Sequence, residues 1–277
     1  MQLRRNVLTF HRCLLLFALA IVAAGCSRGW KVSQFKTTDA LFQASVRELG
    51  ARRWDNAIAG FERLTQTLPA RDAKLPLALF YLGQAHEGKR EFILAATTYT
   101  RVSESFPDDT LADDAIYRAG RSYARLWKKP ALDASYGETA VATFKTLLDI
   151  YPNSELRDES EREMKRLNNW MALKTFENGM HYFRRKAFES SLIYFGDVVR
   201  LYPETPTARD AMVQMVLAYR RINYQTEARE ACDDLRQRYS SDRTVATLCG
   251  AAPPQRADSA KTTAATPNTP PAPPPTP

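Results

Sequence analysis

Apolar residues recur along this chain at helical spacing, on faces that come in pairs. Leu41, Phe42, Ser45 and Leu49 share one face and Ile58, Phe61, Leu64 and Leu68 share the next, with the three- and four-residue steps of amphipathic helices. The pattern then restarts. Each restart follows an apolar residue and a proline, at Leu68-Pro69, Phe106-Pro107, Tyr151-Pro152 and Tyr202-Pro203. Proline ends a helix because it lacks the amide hydrogen and crowds the preceding turn. Self-similarity on this scale predicts stacked helix pairs, each burying its apolar face against its neighbours. Gly50, Gly88 and Asn223 read as the turns within pairs.

The copy that ends at Pro107 places Leu79, Leu82, Gly83, Ala95 and Tyr99 in positions that resemble the tetratricopeptide pattern, where small residues let two helices approach. Leu41, Ala44, Ser45, Ala57, Phe61 and Leu64 repeat that register before Pro69. Gly179, Tyr182, Ser191, Phe195 and Val198 repeat it before Pro203, and Val216, Tyr219, Ala228, Cys232 and Leu235 repeat it once more, with Ser240 in place of the proline. In the middle copy Gly120 and Ala140 are 20 positions apart, against 12 for Gly83 and Ala95, so an inserted loop is expected at about 128–138, around Lys128, Lys129, Pro130 and Gly137. The expected fold class is all-α: an α-solenoid of about five tetratricopeptide-like helix pairs. Repeats 1–3 occupy 38–152, and a long helix with repeats 4 and 5 occupies 153–242. Charge pairs four residues apart, Asp158 with Arg162 and Glu161 with Lys165, support an exposed helix from Ser154 to about Arg184, either continuous or broken near Asn168-Asn169.

Both ends depart from this pattern. Arg4, Arg5 and Arg12 precede an uncharged apolar run that closes on Ala23-Ala24-Gly25-Cys26, too short to span a bilayer comfortably and ordered like a secretory signal peptide over 1–25. The small residues before Cys26 resemble a bacterial lipobox, which implies cleavage and lipidation at Cys26, with 26–37 as a tether. Ser27 lacks the aspartate that resembles an inner-membrane retention signal, so the periplasmic leaflet of the outer membrane is expected. From 251 to 277, nine of 27 residues are proline and the rest mostly Ala, Thr and Ser, a composition that cannot bury enough apolar surface to order itself.

The 277 residues are 44% hydrophobic, enough for a continuous core without a metal or a staple. The net charge of +8 includes the three arginines of the signal, which leaves 36 basic residues against 31 acidic ones, interspersed along helices. That distribution describes a solvated surface, not a nucleic-acid stripe. Of four cysteines, Cys13 leaves with the signal and Cys26 is lipidated. Cys232 stands where other copies bury an aromatic residue, which favours a free core thiol over a bond with Cys249, although an exported chain permits one. His86 and His181 read as packing or surface residues. No metal-ligand spacing, serine elbow or phosphate-cradling glycine loop is present, and Asp108-Asp109 and Asp113-Asp114 flank a helix start, where carboxylates favour the positive end of the dipole. No enzyme, cofactor or metal is expected.

From Asn168 to about Asp242 the chain resembles the BamD/ComL family of β-barrel assembly lipoproteins. The resemblance rests on Tyr182-Phe183-Arg184-Arg185-Lys186-Ala187-Phe188, Tyr202-Pro203-Glu204-Thr205-Pro206, Ala211-Met212 and Ala218-Tyr219-Arg220. The repeat plan extends it over nearly all of 26–242. Ile193-Tyr194 replaces an Asn-Arg pair common in the family, and the proline-rich tail is not a usual family feature. The resemblance implies a lipid-anchored scaffold on the periplasmic face of the outer membrane. Its partners would be a BamA-like insertase, docked through a POTRA domain, other assembly lipoproteins, and unfolded outer-membrane proteins; nucleic acid is not among them. A concave face built from first helices suits an extended segment, with Phe42, Val46, Phe80, Gln84 and Glu87 as candidate groove residues. For Phe42 and Phe80, internal packing is the competing reading. Arg220, Arg221, Asn223 and Tyr224, at the last inter-helix turn, are the candidate insertase contact. The alternative function is a repeat lipoprotein that coordinates cell-wall synthesis or the assembly of a pilus or secretin.

Overall fold

A computed structural model describes residues 29–250. The signal segment 1–25, Cys26 and the segment 251–277 lie outside the described residues. A short 3-10 turn, Val32–Gln34, precedes eleven α-helices, and the described residues contain no strand. The helices are α1 (Thr38–Gly50), α2 (Trp54–Thr67), α3 (Leu75–Gly88), α4 (Phe92–Ser105), α5 (Ala112–Leu126), α6 (Ser135–Ile150), α7 (Arg157–Arg184), α8 (Phe188–Leu201), α9 (Pro206–Arg221), α10 (Gln225–Arg238) and α11 (Arg243–Cys249). The chain forms two compact units that divide inside α7, between Lys174 and Thr175, further along than the expected boundary at 152/153. Helix α7 is continuous through Asn168-Asn169.

In the first unit, α1 through α6 pack consecutively, and α1 also touches α3. The core of the first two pairs joins Leu41, Phe42, Phe61, Leu64, Leu79, Phe80, Leu82, Tyr99 and Val102. Size complementarity sets how closely paired helices approach. A Cβ placed on Gly83 would lie 2.6 Å from the Tyr99 ring, and one on Gly120 would lie 2.7 Å from Phe144, so glycine on the first helix makes room for an aromatic residue on the second. In the second unit Gly179 and Phe195 repeat the arrangement at 2.6 Å. The last pair reverses the sizes: Val216 takes the glycine place and Cys232 the aromatic place, both buried.

The turns within pairs share one backbone design. Arg52, Arg90, Lys186 and Asn223 have φ of 56°, 66°, 63° and 63°. In each case the next residue's N–H donates to the carbonyl five residues back: Arg53 to Glu48, Glu91 to His86, Ala187 to Tyr182 and Tyr224 to Tyr219, at 2.9 to 3.1 Å. This is a Schellman closure, which satisfies carbonyls that the helix end leaves open. All three residues expected at turns lie at or beside one, but only Asn223 holds the left-handed position; Gly50 and Gly88 are each the final residue of a helix, two positions before the left-handed one. Gly88 serves packing, since a Cβ there would meet the Trp54 indole at 2.8 Å. Side chains lock two of these turns across the same five-residue step. Arg53 donates to Glu48 twice at 2.6 Å, and His86 Nδ1 lies 2.8 Å from Glu91 Oε2. The bonds from Arg53, then one from Asn56, hold the nearly buried Glu48 carboxyl below the usual carboxylate range despite its desolvation.

The connection between α5 and α6 runs over residues 127–134, and Gly137 belongs to α6 instead of to a loop. Trp127 anchors this connection. Its ring presses on Gly137, where a Cβ would sit 2.2 Å from Cε3, and meets Trp170 of α7 edge-on at 5.5 Å. Lys174 Nζ donates to the Leu132 carbonyl at 2.6 Å.

The second unit closes on a short helix that the periodicity did not predict. A disulfide joins Cys232 of α10 to Cys249 at the end of α11, with Cα atoms 5.4 Å apart, which corrects the expectation of a free thiol. The physical reason is volume. A cysteine in an aromatic's place leaves space that Val245, Leu248 and Cys249 of α11 fill, beside Met212, Val216 and Leu235. Asp242 caps α11, accepting from Thr244 and Val245 amides, and also receives Arg209 of α9 at 2.7 and 3.0 Å. At the other end, Arg220 and Arg236 donate to the carbonyls of Leu248 and Cys249, at 2.9 and 2.8 Å.

Candidate functional site

Three first helices and the start of α2 border an open pocket of about 580 Å³ in the first unit. Val46, Leu49 and Gly50 come from α1, Trp54 from α2, Tyr81, Gln84, Glu87 and Gly88 from α3, and Arg118 and Arg125 from α5. Thus Val46, Gln84 and Glu87 of the expected groove share one wall. Phe42 and Phe80 do not line it, being 8% and 4% exposed within the core. Phe42 packs edge-on against Phe61 at 6.0 Å, and Phe80 against Tyr99 at 5.5 Å. First helices in a stacked array are flanked by partners on both sides, so their second apolar stripe is spent on the neighbouring pair.

One side of the pocket is aromatic and aliphatic; the other is a charged cluster centred on Glu87. Glu87 accepts from the Tyr99 hydroxyl at 3.1 Å and pairs with Arg118 at 3.5 Å and Arg125 at 3.3 Å. Burial, reinforced by the Glu87 charge, pushes the Tyr99 hydroxyl far above its ordinary value, so it remains a hydrogen-bond donor. The guanidinium of Arg118 lies 5.3 Å over the Phe80 ring, and that of Arg125 lies 5.4 Å over Phe92. These contacts fix the arginines in the pocket. Their positions, about two turns apart on the third first helix, were not singled out in sequence because a lone arginine on a helix reads as solvated surface.

In the second unit a hollow of about 430 Å³ is lined by Arg220, Gln225, Ala228, Arg229, Cys232, Asp233, Arg236 and Cys249. Arg220 of the expected partner contact is on this wall. Arg221, Asn223 and Tyr224 are exposed at the adjoining turn, Tyr224 to 45%. His86 is buried with Glu91 as its partner, and His181 is exposed with its ring 5.6 Å from that of Tyr182.

Comparison with known proteins follows this architecture closely. The YfiO family, described as outer membrane lipoprotein, matches residues 35–235, which takes in the pocket of the first unit and all but the last residues of the helix pairs. The chain belongs to this family. Among relatives, the outer membrane protein assembly factor BamD of Vibrio cholerae is 25% identical over 234 residues, covering 80% of this chain and 95% of its own length. The Xylella fastidiosa (strain Temecula1) factor of the same name is 24% identical, covering 80% of this chain and 79% of its own. Among solved structures, the TPR2AB domain of yeast Sti1 aligns with 76% of this chain and 81% of its own at 14% identity, with a TM-score of 0.38. Two features stand out within the YfiO match. The pocket helices and the Schellman turns all fall inside it, whereas α11 and Cys249 lie beyond its end.

Proposed function

We propose that this YfiO-family chain is an outer membrane protein assembly factor, a lipid-anchored scaffold of helix pairs with no chemistry of its own. The observation that carries the reading is the alignment with the Vibrio cholerae assembly factor over 80% of this chain and 95% of that one, far more than one generic helix pair. In this reading Cys26 carries the lipid and holds the chain on the periplasmic face of the outer membrane. The pocket around Tyr81, Gln84 and Glu87 receives part of an unfolded outer-membrane protein, and the turn at Arg220, Arg221, Asn223 and Tyr224 docks a POTRA domain of a BamA-like insertase. The pocket's mixed walls support the first assignment, since apolar surface beside fixed arginines suits an extended segment with both side-chain types. Exposed arginine and tyrosine at a rigid turn support the second.

Affinity capture of the native chain from detergent-solubilised envelopes tests it. The expected result is recovery of a BamA-like barrel in near-equal amount. Recovery of a secretin or a cell-wall synthase in its place, or of no barrel at all, overturns it.

A further inference from the structure

The described residues start at Gly29, three positions after Cys26, and the chain is packed almost at once. Trp30, Val32 and Phe35 lie against the core of the first helix pairs. The rings of Trp30 and Phe35 have centroids 5.0 Å apart, and a Cβ on Gly60 of α2 would lie 3.3 Å from the Trp30 ring. Apolar contact therefore fixes this segment on α2 before α1 begins. Cys26 and Trp30 are four residue steps apart, and four steps of fully extended chain span no more than about 14 Å. A lipid on Cys26 thus brings Trp30 to within about that distance of the headgroups.

The alternate positions of the same segment, Lys31, Ser33, Gln34 and Lys36, are exposed. The lysine ion pairs among the described residues belong to Lys74 and Lys89, so neither Lys31 nor Lys36 is compensated by a carboxylate. From Cys26 to Thr38 the sequence carries Arg28, Lys31 and Lys36 and no acid. The next residue, Asp39, is engaged by Lys74. Each basic residue close to an anionic leaflet strengthens binding about fivefold, and a basic stretch is the usual companion of a lipid anchor. Position selects the partner. No protein or nucleic acid is required to lie so close to Cys26, whereas the leaflet that takes the acyl chains is.

We propose that Lys31 and Lys36, on the packed segment, form a docking surface for the anionic phospholipid headgroups of the leaflet that holds Cys26. The first helix pair then rests against the membrane instead of swinging on a long leash. The inference rests on the reading of Cys26 as the lipidated residue and adds to it how the first unit meets the bilayer.

The test uses the full acylated chain, purified from membranes and reconstituted into vesicles of phosphatidylcholine with or without about one third phosphatidylglycerol. Intact mass spectrometry first reports whether Cys26 carries acyl groups. A nitroxide is attached through Gln34→Cys or through Glu104→Cys, both exposed positions, the second near the end of α4. Either is the single free thiol of the mature chain, with Cys26 acylated and Cys232 bonded to Cys249. Nickel-chelating lipid in the vesicles relaxes a nitroxide that lies close to the headgroups. The expected result is stronger relaxation at Gln34 than at Glu104 in phosphatidylglycerol vesicles. The difference should fall in pure phosphatidylcholine and in about 1 M salt, where the screening length is about 3 Å. Lys31→Gln combined with Lys36→Gln should shift the docked-to-free ratio about thirtyfold toward the free state, with helical content unchanged. Equal relaxation at both sites, indifference to phosphatidylglycerol, or a pattern that survives the double substitution would each overturn the proposal. A chain without acyl groups on Cys26 would overturn the anchor and this inference together; an acylated chain that lacks the label pattern would overturn this inference alone.

Discussion

Arg52, Arg90 and Lys186 hold left-handed backbone where glycine has no Cβ penalty, and all three side chains are exposed. Arg90 enters no hydrogen bond or ion pair through its side chain among the described residues, so nothing offsets the strain locally. Arg90→Gly should therefore stabilise the first unit by about 0.5–1 kcal/mol, after the added freedom of the unfolded chain is deducted. The check is thermal unfolding by circular dichroism, with the midpoint expected to rise by roughly 1–4 °C. A fall would show that the closure at Glu91 and His86 does not require that conformation. The same residues show where sequence reading is blind. Gly50 and Gly88 marked the right neighbourhood but not the right position, because the closure is set by backbone hydrogen bonds and tolerates a long, polar side chain pointing into water. Phe42 and Phe80 were ambiguous for another reason: helical periodicity names the apolar stripes of a first helix but not which of them a neighbouring pair covers.

At the scale of elements, the pairing of helices was readable because prolines and three-four spacing are local signals. The closing helix α11 was not. It has seven residues, with Val245 the one it buries fully, too little for a periodic pattern. Its position depends on contacts that appear only when α9 and α10 are folded: the Cys232–Cys249 bond, the two arginines on its last carbonyls and Arg209 on its cap. The bond spans a sequence separation of 17, for which chain-entropy reasoning gives about 3 kcal/mol. Cys249→Ser should lower the stability of the second unit by about 2–3 kcal/mol, and a dithiol reductant added to the unaltered chain should match it in urea unfolding. A second-unit transition unmoved by either treatment would mean that the packing of Val245 and Leu248 suffices.

For the whole molecule, membership of the YfiO family accounts for the repeat array. Among the described residues no helix is long and apolar enough to cross a membrane. A lipid on Cys26 provides attachment in the proposed function, since acyl chains contribute roughly 0.8 kcal/mol per buried methylene and more than one chain makes binding firm. Cys26→Ala should move the chain from the membrane pellet to the soluble fraction with its helical signal intact. Persistence in the pellet through carbonate washing would assign the attachment to another contact.

An array of helix pairs has raw ends, because each pair is built to be covered by another. Helix α11 is a stopper welded into one of those ends, and the weld is a bond that reducing conditions disfavour. In the proposed reading as an outer-membrane lipoprotein this sets an order of events: the last pair is sealed only once the chain has reached a compartment that permits the bond.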